Sequence, residues 1–420
     1  MEPSRVETTL KFLILQHGNA KATTVYKESQ KANMSEKRTR TTYQQRRTRD
    51  YMSKLPHYVV MDIFCKLPLK SLLSCRFVCK AWRDLISDPC FATLHLAKAP
   101  AILMFQIGNF EILGETNIFM VEPEANHPDA ITKVNMGFNI PKSDAKIIGS
   151  CNGLLCLWDD LSPDSFYISN PVTGECMTLP KIKRGPKHLS ASGFGISSKT
   201  KQYKVITMTY RQVLSHELEA QIHTVGSGTW RTIGHVPYDF SCALSGIFLN
   251  GALHWIARDD NKSGLLCAFD IENEQFLTIP LPPISFFGRK IDWSNLGVLG
   301  GCLCVFASGE NLFFFYSKLE MWVLKDYGVK DSWTKALVED PVAKHRWDKI
   351  WLELIRNKES LVLSYENYLV YYDPRTKRLR KLYICGTQSR IKVFPHIPRF
   401  LSLEAIMLGE SSKVLNIKSR

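Results

Sequence analysis

The sequence predicts a mainly β chain: a short N-terminal unit of three helices followed by a β-propeller of about five or six blades. Three observations carry that reading. Residues 53–97 show helical spacing interrupted by prolines. Beyond residue 99 the chain changes to short apolar runs punctuated by Gly, Pro, Asn and Asp. Those runs recur at intervals near 50 residues or twice that.

The composition permits such a fold. The chain has 420 residues, 45% hydrophobic and 22% charged, the balance of a folded protein rather than a disordered one. It is long enough for two or three domains, or for one large β unit beside a small one. No apolar run approaches the ~18 residues of a membrane-spanning helix, and Phe12-Leu13-Ile14-Leu15 is shorter than a secretory core of ~7–15. The expected location is the nucleus and/or cytoplasm, with no membrane partner. Twelve cysteines are scattered without one Cys-x-x-Cys pair, so the paired-thiolate spacing of zinc modules is absent and the thiols read as reduced core residues.

The formal charge of +14 is uneven. Residues 1–50 hold eleven Lys and Arg against five Asp and Glu, which supplies +6, and residues 37–49 contain six basic residues and no acid. Residues 1–52 read as a disordered basic tail. A solvated tail is the leading reading of the basic run, ahead of a nuclear-localisation patch, and nucleic acid is not expected as a partner. Met52 stands directly before the first structured segment and could serve as an alternative start.

In the helical segment Val59, Ile63 and Leu67 recur every four residues beside Val60 and Phe64, until Pro68 stops the helix. A second helix carries Leu72, Leu73, Arg76, Phe77 and Val78. A third carries Trp82, Leu85 and Ile86 and ends before Asp88-Pro89. A unit this small buries too little surface to be secure alone, which predicts a partner.

The β region is expected over 98–400, with a tail at 401–420. Asn152-Gly153-Leu154-Leu155-Cys156, Asn250-Gly251-Ala252-Leu253-His254-Trp255, Gly300-Gly301-Cys302-Leu303-Cys304 and Lys358-Glu359-Ser360-Leu361-Val362-Leu363 each place a turn before an apolar strand, at starts 98, 50 and 58 residues apart. The unit missing from the first gap has Val205 to Tyr210 as its inner strand, followed by Ile222 to Val225 and Trp230 to Ile233. Hairpins complete the units, and Ile102 to Val121 offers a sixth. A two-sheet sandwich also has many short strands, but a repeat near 50 residues suits radial blades. Trp230 and Trp333 are expected to be buried equivalents in alternate blades.

Read together, Leu55-Pro56, Ile63, Leu67-Pro68, Lys70-Ser71-Leu72-Leu73, Arg76, Val78-Cys79-Lys80, Trp82-Arg83, Leu85-Ile86 and Ser87-Asp88-Pro89 closely resemble the F-box. The β region is similar to the kelch-like F-box-associated domain of a large plant family, in the phrases Ser150-Cys151-Asn152-Gly153-Leu154-Leu155-Cys156, Asn170-Pro171-Val172-Thr173-Gly174 and Gly251-Ala252-Leu253-His254-Trp255. The resemblance implies a substrate-recognition subunit of an SKP-cullin-F-box ubiquitin ligase. Its F-box docks on an SKP-family adaptor, and through it on cullin and RING subunits, while the β domain selects an unidentified protein substrate. The adaptor-binding residues so implied are Leu55, Pro56, Ile63, Leu67, Pro68, Leu72, Leu73, Val78 and Trp82. The family often has an acidic residue soon after Leu-Pro, where this chain has His57-Tyr58.

No nucleophile elbow, P-loop or zinc-protease helix motif is present, and His254 reads as a satisfied core histidine. A non-catalytic receptor is therefore expected, with no metal and no cofactor. The alternative is an adaptor-bound propeller that senses a small molecule or acts as a non-degradative scaffold.

Overall fold

Two prolines set where the first helices begin. Pro56, at φ −55°, precedes α1 (His57–Cys65), and Pro68, at φ −54°, precedes α2 (Leu69–Cys75). A fixed φ near −65° suits a helix start, while the ring disfavours helical backbone in the residue before it. Pro68 thus separates two helices rather than only ending one. The third helix, α3, spans Lys80–Ile86. Asp88 then accepts hydrogen bonds from the Cys90 and Phe91 amides at 2.8 and 3.3 Å, with Pro89 in the first position of α4 (Pro89–Lys98). The three expected helices are therefore joined by a fourth, because Ser87-Asp88-Pro89 opens a helix as well as closing one.

The structure, a computed structural model, describes residues 55–99, 102–108, 116–124, 127–134, 145–159, 161–182, 189–210, 217–240, 245–258, 264–283, 291–309, 319–339, 350–353, 361–365, 368–373, 378–383 and 391–408. The expected tail at 1–52, with its basic run, lies outside them. The chain forms two units, Met1–Ala99 and Pro100–Arg420. The helical unit has its own core of Phe64, Leu72, Cys75, Ile86 and Phe91. Trp82 and Phe91 both meet Phe64 edge to face, with ring centroids 5.1 and 6.4 Å away, a geometry that aromatic quadrupoles favour.

The second unit is built of six four-stranded antiparallel sheets among the described residues. Blade 1 contains β1 (Ile102–Gly108), β2 (Thr116–Glu124) and β3 (His127–Val134). Blade 2 contains β4 (Ala145–Cys151), β5 (Leu154–Asp159), β6 (Phe166–Asn170) and β7 (Glu175–Thr178). Blade 3 contains β8 (Leu189–Ile196), β9 (Tyr203–Tyr210), β10 (Leu218–Thr224) and β11 (Arg231–Val236). Blade 4 contains β12 (Ile247–Leu249), β13 (Ala252–Arg258), β14 (Gly264–Asp270) and β15 (Gln275–Ile279). Blade 5 contains β16 (Ile291–Leu299), β17 (Cys302–Gly309), β18 (Leu319–Leu324) and β19 (Trp333–Glu339). Blade 6 contains β20 (Ile350–Glu353), β21 (Leu361–Tyr365), β22 (Tyr368–Asp373) and β23 (Arg378–Tyr383). The last strand, β24 (Ile391–His396), returns to complete blade 1 by pairing with β1, from Ile102 opposite His396 to Ile107 opposite Ile391.

One edge strand of each sheet, β24, β4, β8, β12, β16 or β20, packs beside its counterparts in both neighbouring blades, so the six sheets close a ring with these strands innermost. Close approach there excludes side chains. A Cβ added at Gly193 of β8 would come within 2.8 Å of Leu253 on the next blade.

Each repeated turn among the described residues lies inside a blade, between its innermost and second strands; the turn expected at 358–360 lies outside them. Asn152-Gly153, Asn250-Gly251 and Gly300-Gly301 all have positive φ at both positions, the tight hairpin geometry that matches strand twist. Val205 to Tyr210 belongs accordingly to the second strand of blade 3. Its inner strand is β8, whose small residues do not read as a strand in sequence.

Trp230 and Trp333 are equivalents in alternate blades, each at the start of an outermost strand. Their indoles donate to Pro180 O at 2.6 Å and Pro280 O at 2.8 Å, both carbonyls lying just after the outermost strand of the preceding blade. Trp333 is buried as expected, but Trp230 is only half-buried. Residues 401–408, assigned to a tail by the sequence reading, instead bury Leu401, Leu403 and Ile406 and contain α5 (Leu403–Met407). Alternating apolar residues in that stretch are too few to mark an element.

Candidate functional site

The helical unit leaves several large apolar side chains uncovered. After α2 the chain tightens through i to i+3 bonds, from the amides of Arg76, Phe77 and Val78 to the carbonyls of Leu73, Ser74 and Cys75. Phe77 projects from that turn and is 89% exposed. Tyr58 in the first turn of α1 is 73% exposed, and Leu55 just before it 38%.

The nine residues singled out in the sequence divide by burial. Leu55 and Pro56 are exposed; Ile63, Pro68, Leu73, Val78 and Trp82 are half-buried. Leu67 is buried, and Leu72 on α2 is fully buried, so both pack within the unit. Phe77 and Tyr58 are absent from that set. The apolar periodicity that places Phe77 on α2 with Leu72 and Leu73 does not register that α2 ends at Cys75.

The start of α1 is electrostatically plain. No acidic residue lies in its first turn and no side chain caps it, as His57-Tyr58 implies. Asp62, one turn on, is held below the usual carboxylate range by hydrogen bonds from Lys66 and Lys98 at 2.7 and 3.0 Å. Lys98 thereby ties α4 to α1. Two buried thiols of this unit are held in the neutral form: burial pushes Cys65 up to about 11 and Cys75 up to about 12.

In the propeller the residue most open to a chemical reading is His254. Its Nδ1 donates to Ile247 O at 3.1 Å and its Nε2 accepts from the Tyr327 hydroxyl at 2.6 Å. Both nitrogens are satisfied, and burial lowers its pKa to about 4. The side chain is a neutral crosslink between blades 4 and 5. His396, at the end of β24, has Nδ1 3.1 Å from Ser150 Oγ and is lowered to about 3 by burial. Among the described residues neither histidine is hydrogen-bonded to a carboxylate or thiol, the partner a general base or activated nucleophile needs.

Comparison with known proteins gives one consistent pattern. Residues 52–94 match the F-box domain, and residues 103–405 match the F-box associated beta propeller domain. F-box protein At3g07870 of Arabidopsis thaliana is 29% identical over 394 residues, covering 82% of this chain and 91% of the relative. F-box protein CPR1 of the same plant is 26% identical over 404 residues, covering 88% and 92%. F-box/kelch-repeat protein At3g23880, also from Arabidopsis thaliana, is 25% identical over 306 residues, covering 69% and 81%.

Proposed function

Because the chain belongs to the F-box proteins that carry an F-box associated beta propeller domain, we propose that it is the substrate receptor of an SKP-cullin-F-box ubiquitin ligase. Helices α1 to α4 dock on an SKP-family adaptor, which connects the chain to cullin and RING subunits. The propeller holds the protein to be modified, and ubiquitin transfer is carried out by other subunits. The observation that carries this reading is the exposure of Phe77, Tyr58 and Leu55 on a unit whose own core is already filled. Covering one large apolar side chain contributes roughly 1.5–3 kcal/mol, part of which association itself consumes.

The contact set in this reading is Leu55, Pro56, Tyr58 and Phe77 with the half-buried Ile63, Pro68, Leu73, Val78 and Trp82. The test is co-purification of the full chain with an SKP-family adaptor. Phe77→Ala, and Leu55→Ala combined with Pro56→Ala, should each lose the adaptor while keeping the unfolding midpoint. Retention by both variants sinks the reading. Residues 37–49 bear on where the chain goes rather than on what it binds. Neutralising their six basic residues should alter at most the nuclear-to-cytoplasmic ratio of a fluorescent fusion and leave adaptor capture intact.

A further inference from the structure

Blade 1 lacks a turn that the other blades have. Its innermost strand β24 and its second strand β1 come from opposite ends of the sequence, so no hairpin joins them. Residues 397–408 continue from β24 and lie against the outer hairpin of blade 2. Asn170 donates through Nδ2 to Arg399 O at 3.1 Å and to Leu401 O at 2.8 Å. Glu175 Oε2 accepts from the Leu403 amide and from Thr173 Oγ1. Arg399 reaches Asn152 O at 3.5 Å and the Tyr203 hydroxyl of blade 3 at 3.0 Å.

Blade 4 shows what this arrangement replaces. Asp270 stands where Asn170 stands in blade 2, and each side chain accepts from the amide two residues on, Glu272 at 2.8 Å and Val172 at 3.0 Å. From the blade 4 hairpin, Glu272 accepts from Ser197 Oγ and the Lys199 amide, both at 2.9 Å, in the β8–β9 turn of blade 3. The outer hairpin of blade 4 thus grips the inner turn of blade 3. In blade 2 the preceding blade has no such turn, and the grip falls on residues 399–403 instead. It also requires an amide donor, which asparagine has and aspartate lacks.

We propose that residues 397–408 are a clasp that takes the place of the missing turn of blade 1 and holds the β24–β1 seam closed, so that its release opens the ring at that seam alone. An open seam would present two unpaired strand edges, the state that favours pairing with other chains, while α1 to α4 stay folded. The clasp is therefore the point at which the recognition domain can be disabled without touching the adaptor surface.

The experiment is amide hydrogen exchange on the full chain with Asn170→Asp, which preserves the turn as Asp270 does but removes both donors. Protection should fall about tenfold or more at residues 102–107 and 391–396 and stay unchanged in β13 and β14. Asp270→Asn, the reciprocal change where there is no clasp, should leave the seam as it is. Should Asn170→Asp fold poorly, Leu403→Ala with Ile406→Ala weakens the clasp from its own side and is read in the same way. Protection lost in all six sheets together, or at the seam in neither variant, overturns the proposal.

Discussion

Leu72 and Phe77 lie five residues apart in one apolar run and have opposite surroundings, one fully buried and the other 89% exposed. Leu72→Ala should lower stability by about 2–5 kcal/mol through lost burial and the cavity left behind, measured as a shift in the denaturant midpoint. Phe77→Ala should leave that midpoint in place and change adaptor capture. Apolar spacing made this segment legible in the sequence as helices. It did not distinguish residues that fill the core from residues left exposed, because both are large and apolar. His254 offers a second test. Tyr327→Phe removes the donor to its buried Nε2 and should cost about 1–3 kcal/mol. The depressed histidines also fix the sign of the pH response. Burial favours neutral His254 and His396 in the fold, with pKa values of about 4 and 3, against about 6.5 in the unfolded chain. Their contribution is complete above 6.5. As pH falls, the unfolded chain takes protons the fold refuses, so stability should drop from pH 6.5 toward 4 by at most about 1.4 kcal/mol per pH unit for each histidine. Denaturant melts between pH 4 and 7 measure that slope.

At the scale of elements, two glycines in like turns should behave differently. Gly251, at φ +80°, has open space around an added Cβ, so Gly251→Ala meets only backbone strain, about 1–2 kcal/mol. Gly153, at φ +83°, faces Arg399 of the clasp so closely that an alanine there would collide with it. Gly153→Ala should cost clearly more in the same melt and loosen residues 397–408. The tryptophan pair separates in the same way: Trp333→Ala should cost about 3–5 kcal/mol, and Trp230→Ala less, because its ring is less completely buried. The turn-plus-strand phrases were legible because asparagine and glycine are demanded by positive φ. The inner strand of blade 3 was not, because Leu189–Ile196 is mostly serine, alanine and glycine, and close packing such as that of Gly193 on Leu253 leaves no room for the large side chains that otherwise signal a strand.

Across the whole molecule, residues 102–408 should unfold in one transition, since each blade has its apolar faces covered by neighbours on both sides. Tryptophan fluorescence and far-ultraviolet dichroism should therefore give coincident propeller transitions, and a separated blade transition would refute a single ring. Six blades lay within the reach of the repeat, but the seam did not, because nothing local marks Ile391–His396 as the partner of Ile102–Gly108. That pairing also fixes an order of events during synthesis. β1 leaves the ribosome nearly the full length of the ring before its partner exists, and at ~5–20 residues per second the wait is about 15–60 s. Through that interval β1 must be kept from pairing elsewhere, while the helical unit, complete by residue 99, is free to fold. Ribosome-arrested chains of increasing length should acquire a protease-resistant propeller only once the sequence through Leu408 has emerged. A premature stop between residues 99 and 408 would then yield a polypeptide with a complete helical unit and no closed ring.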